Sequence, residues 1–119
     1  MRKLALLFFL SLTAMAIHAE KFSYFIKAVT PIQNGLDKAT LSKNTVIVVD
    51  TDNRTVVIEG QKYSIISSEM TGYPEIRFNV SGQNNKEFKI LIDYDYNFFI
   101  IDFRNGYARK YKFYKSSVN

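Results

Sequence analysis

The sequence predicts an all-β fold: one small antiparallel β-meander of about eight strands, closed or nearly closed as a barrel, with a β-sandwich as the alternative. Three observations carry this prediction. Beyond residue 20, short runs rich in β-branched and aromatic residues alternate apolar with polar side chains. Turn chemistry separates these runs at short intervals, and no long stretch keeps the helical period of about 3.6 residues. Closure is preferred to an open sheet because it removes unpaired strand edges.

The first element is not part of the fold. Arg2 and Lys3 precede an uncharged apolar run, residues 4–17 (LALLFFLSLTAMAI), and small residues stand at Ala14, Ala16 and Ala19. This is the layout of a secretory signal peptide, and the run is shorter than the roughly 20 residues that span a bilayer. Cleavage after Ala19 makes residues 1–19 the signal peptide and residues 20–119 the domain; Ala14-Met15-Ala16 offers a competing site. The exported product, with no further apolar run long enough to cross a membrane, is expected in the periplasm or outside the cell. The chain has no cysteine, so a small exported domain is held by its core alone. That is ordinary for bacterial periplasmic and surface proteins and unusual for disulfide-built extracellular modules.

Residues 21–29 (KFSYFIKAV) read as the first strand. Residues 30–44 are broken by Pro31 and Gly35, with Leu36, Ala39 and Thr40 spaced for one helical turn. Residues 45–50 (TVIVVD) and 55–59 (TVVIE) flank the turn sequence Thr51-Asp52-Asn53-Arg54, and Gly60-Gln61 leads into residues 62–67 (KYSIIS). With turns of two residues each, Ile47, Val49, Val56, Ile58, Tyr63 and Ile65 fall on one face. Residues 75–80 (EIRFNV) put Ile76, Phe78 and Val80 on that face, and residues 87–95 (EFKILIDYD) add Phe88, Ile90, Ile92 and Tyr94. Residues 98–104 (FFIIDFR) are apolar on both faces, the mark of a strand covered on two sides. Asn105-Gly106 is the strongest turn signal. A glycine bulge there brings Tyr111 and Phe113 inward with Phe99 and Ile101, and sets Lys110 beside Asp102 outside.

Composition removes whole classes of chemistry. The one histidine, His18, lies in the signal peptide, so residues 20–119 contain neither His nor Cys. Thiolate or imidazole zinc sites, Ser–His and Cys–His dyads and the usual general base are therefore excluded. Asp93-Tyr94-Asp95-Tyr96-Asn97 begins like a calcium loop. Phe98 stands where its turn glycine belongs and Arg104 where its closing glutamate belongs. Asp93 and Asp95, about 7 Å apart on a strand, are the only arrangement resembling a carboxylate hydrolase. Neither has the apolar surround that makes an acid. No catalytic residue, metal site or cofactor is expected.

The formal charge of the full chain is +5, mildly basic. Arg109, Lys110, Lys112 and Lys115 interleave with Tyr107, Tyr111, Phe113 and Tyr114. In the cytoplasm this pattern would fit single-stranded nucleic acid, but export argues for a protein or an anionic envelope component instead. In the preferred register Leu91, Phe98, Ile100 and Tyr114 share the outer face, rimmed by Lys89, Lys110 and Lys112, a candidate partner patch unless residues 21–44 cover it. The expected function is thus non-enzymatic: binding a macromolecule, or a structural part in the envelope. A barrel carrier for a small apolar ligand is the alternative, and a carboxylate hydrolase the remote one.

Overall fold

The computed structural model describes residues 20–69 and 75–118; the signal peptide read from residues 1–19 lies outside the described residues. The strands are β1 (Lys21–Gln33), β2 (Leu36–Asp37), β3 (Leu41–Asp50), β4 (Thr55–Ile58), β5 (Gln61–Glu69), β6 (Glu75–Ser81), β7 (Glu87–Asp93), β8 (Phe98–Asp102) and β9 (Tyr107–Val118). From β3 to β9 each strand pairs antiparallel with the next, and β1 pairs with both β3 and β9. The result is a closed eight-stranded antiparallel meander barrel with one extra strand, the short β2.

Alternation decides what goes inside. Ile47, Val49, Val56, Ile58, Tyr63, Ile76, Phe78, Val80, Ile90, Ile92, Tyr94, Phe99, Ile101, Tyr111 and Phe113 are all buried, as the period-two pattern requires; Ile65 and Phe88 are half-buried and pack against them. The first strand contributes Phe22, Tyr24, Ile26 and Val29. A bulge at Lys27 explains the change from even to odd positions, since the β1–β9 register slips between Ile26 and Ala28.

Several turns differ from the sequence expectation. The predicted helical turn in residues 30–44 is absent. β1 runs straight through Pro31 to Gln33, turns at Asn34-Gly35, and returns as β2 and then β3. Proline is tolerated here because it stands just past the last β1–β2 pair, Ile32–Asp37, where its carbonyl still accepts the Lys38 N–H (2.7 Å) and its missing N–H interrupts no pair of that short ladder. The β4–β5 turn is Glu59-Gly60, not Gly60-Gln61, with both residues at positive φ (48° and 83°). That is the primed geometry whose twist matches the flanking strands. The β3–β4 loop has four residues because the Asp50 carboxylate organises it: Oδ1 accepts the N–H groups of Asp52 and Asn53, and Oδ2 accepts Asn53 Nδ2.

The β8–β9 register is also corrected. Asp102 stands opposite Ala108, and Lys110 stands opposite Ile100, so Lys110 is not beside Asp102. The hairpin closes one pair further out, where Phe103 N–H donates to Tyr107 O (2.9 Å). This loop shifts the pairing by an even number of residues relative to the expected bulge. Tyr111 and Phe113 therefore still point inward, although by a different route.

Candidate functional site

Pairing builds the outer face of β7, β8, β9 and β1 row by row. One row runs Asp93–Phe98–Lys112–Ala28, the next Leu91–Ile100–Lys110–Thr30, the third Lys89–Asp102–Ala108–Ile32. Six of the seven predicted patch residues are thus neighbours: Lys89, Leu91, Phe98, Ile100, Lys110 and Lys112. Tyr114 is exposed on the same side but stands apart, its ring 6.4 Å from that of Phe25, with Lys115 over Phe25.

The patch is basic and partly self-covered rather than openly apolar. Leu91, Phe98 and Ile100 are half-buried. The Phe98 ring lies under two ammonium groups, Lys110 Nζ at 4.9 Å and Lys112 Nζ at 4.8 Å, each attracted to its π-face. Lys112 also donates to Tyr96 O (2.7 Å), and Lys110 pairs with Asp37 Oδ2 (3.0 Å) on the extra strand. The fold therefore covers one flank of the patch with the β1–β2 hairpin and leaves the rest facing out.

An open groove of about 630 Å³ lies where that hairpin meets the β8–β9 hairpin. Ile32, Ile100 and Ala108 form its floor, and Lys89, Asp102, Arg104 and Tyr107 its rim. The two tips are stapled by Asn34 N–H donating to Gly106 O (2.6 Å). Sequence reasoning missed this groove because Asn34 and Gly106 are remote in the chain and neither carries a local signal of the contact. Gly106 has φ +78°, and a Cβ there would meet Asn34 Oδ1 at 2.7 Å. Gly106→Ala is expected to cost about 1–2 kcal/mol, read as a lowered urea midpoint. A loss no larger than a few tenths of a kcal/mol would contradict the staple.

Asp93 and Asp95 stand at the β7–β8 turn. Asp93 Oδ1 accepts the N–H groups of Asp95 (2.8 Å) and Tyr96 (3.2 Å), so it caps its own turn. Among the described residues, no group of three or more His, Cys, Asp or Glu side chains is placed to hold a metal ion.

The barrel's two ends are polar in different ways. Towards one end the Tyr24 and Tyr94 hydroxyls share a 2.5 Å hydrogen bond, and the Tyr24 ring meets those of Tyr94, Phe99 and Phe113 at 5.1–6.2 Å. Burial, with Tyr94 alongside, pushes the Tyr24 hydroxyl well above its ordinary pKa. At the other end buried Tyr111 donates its O–H to Glu59 Oε2 (2.5 Å). Glu59 also pairs with Lys43 (2.8 Å) and lies 3.7 Å from Arg109. Burial first and the Glu59 carboxylate second push Tyr111 up to about 12, so it is a fixed donor at neutral pH. The hydrogen bond from Lys43 and then that from Tyr111 hold Glu59 below its usual pKa. These groups tie β3, the β4–β5 turn and β9 together.

No family model matches the chain, and no curated protein or solved structure matches it. Among the described residues no helix is long and apolar enough to cross a membrane.

Proposed function

We propose that the chain is an exported, non-enzymatic β-barrel module that binds a macromolecular partner of the cell envelope through the outer face of β7, β8 and β9. One observation carries this reading: adjacent rows bring Leu91, Phe98 and Ile100 together with Lys89, Lys110 and Lys112 on a face that, among the described residues, the β1–β2 hairpin covers on one flank only. Apolar residues ringed by charge are the usual composition of a docking face. Export is supported by the composition of residues 1–19, and a non-catalytic role by the lack of His and Cys beyond them. The aromatic rings meeting across the interior support a filled core over a ligand carrier.

The test is site-specific photocrosslinking in the native host. A photoreactive phenylalanine analogue replaces Ile100 in one variant and Lys62, exposed on β5 at the far side of the barrel, in another. The expected result is a covalent adduct of discrete mass from position 100 and none from position 62. No adduct, or the same adducts from both positions, overturns the reading.

A further inference from the structure

We infer that the groove between the two stapled hairpin tips receives an acidic peptide segment of a protein partner. One aliphatic side chain of that segment sits on Ile32, Ile100 and Ala108, and its flanking carboxylates meet Lys89 and Arg104. This inference rests on the module reading above and narrows it to a partner class and a subsite.

The chemistry of the lining makes the choice. The floor is made of branched aliphatic carbons and one methyl group, a shape that fits a leucine-like side chain and is built from three strands held in register. Sugar rings stack on flat aromatic rings, and this floor supplies none; Tyr107 is at the rim. Peptide is therefore favoured over an anionic polysaccharide. Gly35 and Gly106 in the lining carry no side chain, so an extended backbone can approach closely.

Charge fixes the sign of the segment. Among the described residues neither Lys89 nor Arg104 has an ion-pair partner, whereas Lys110 is already held by Asp37. The one acidic group in the lining, Asp102, is engaged by its own turn, its Oδ1 accepting the Arg104 N–H at 2.8 Å. The lining thus carries two cations against one carboxylate, a net positive charge although Asp102 stands opposite Lys89, and Lys112 and Lys115 on the neighbouring surface draw the same sign of charge inward.

The test uses isotope-labelled protein expressed as the full chain and followed by the amide spectrum. It is titrated with an acetylated Asp-Glu-Leu-Asp-Glu peptide, with the same peptide carrying alanine for leucine, and with polygalacturonate. Expected are saturable shifts at Ile32, Gly35, Ile100 and Ala108 with the leucine peptide, and binding weaker by roughly tenfold with the alanine peptide. In a Lys89→Glu/Arg104→Glu variant these shifts should vanish while the rest of the spectrum stays in place. Shifts confined to Lys112, Tyr114 and Lys115 would overturn the groove and leave the docking face standing. Groove shifts with polygalacturonate but not with the peptide would overturn the peptide in favour of a glycan. No shift with any probe overturns the inference too, and the crosslink from position 100 then decides the module reading separately.

Discussion

Truncating Phe99 to alanine is expected to cost about 3–5 kcal/mol of folding stability, as large an effect as any single truncation in this barrel should have. The side chain is fully buried (0% exposed). It sits between Ile92 on β7 and Tyr111 on β9, and its ring lies 5.6 Å from that of Tyr24 across the interior. Its loss removes transfer free energy and leaves a cavity that a closed ring of strands cannot collapse to fill. A domain of this size is stable by only about 5–15 kcal/mol, and this one has no disulfide to fall back on. Urea unfolding followed by tyrosine fluorescence measures the change. If Phe99→Ala does not fold, Phe99→Leu keeps the question open to measurement, with an expected loss under about 1.5 kcal/mol. A cost below about 1 kcal/mol for the alanine variant would mean that Phe99 borders space already empty, which is what a ligand carrier needs.

Replacing Glu59 by alanine should cost about 1–3 kcal/mol at neutral pH, because it strips the buried Tyr111 hydroxyl of its acceptor. The same change removes the partner of Lys43 and the neighbouring charge for Arg109. The pH dependence has a definite sign. The folded pKa of Glu59 is below its unfolded value, so in the window between the two the unfolded chain binds more protons. The contribution of Glu59 is fully present above the unfolded pKa, falls as pH drops through that window, and is gone below the folded pKa. Glu59→Gln should therefore flatten the acid limb of the stability profile at and below the usual glutamate pKa. It should not abolish that limb. Asp50 at the opposite end is also lowered: burial pushes it up, but hydrogen bonds from Asn53 and Asp52 and the charge of Lys21 outweigh that effect. An acid limb unchanged in Glu59→Gln would show that the carboxylate is not held as described.

Local alternation made most of the barrel legible. In residues 75–94 the pattern places Ile76, Phe78, Val80, Ile90, Ile92 and Tyr94 inward without ambiguity, because a half-buried pleat admits one face only. The first strand resisted the same logic. Phe22, Tyr24 and Ile26 alternate, but Phe25 is a large apolar residue on the wrong parity and Lys27 is bulged out of register. Only the ladders to β3 and β9 reveal that Phe25 packs outside against Tyr114 while Val29 turns in. The outer patch was legible for a similar reason. Leu91, Phe98, Ile100, Lys110 and Lys112 share parity, and parity survives an even error in loop length. What parity cannot give is lateral reach. Tyr114 has the right face yet lies beyond the end of β8, and the groove depends on two turns distant in sequence meeting at Asn34 and Gly106.

The ladder between β1 and β9 has a kinetic consequence. It joins Phe22 to Val118 and Gln33 to Tyr107, so the first strand to be synthesised must wait for the last before it acquires its second neighbour. Ring closure of this kind spends loop entropy over nearly the whole polypeptide. The barrel therefore stays open until its last strand docks against its first.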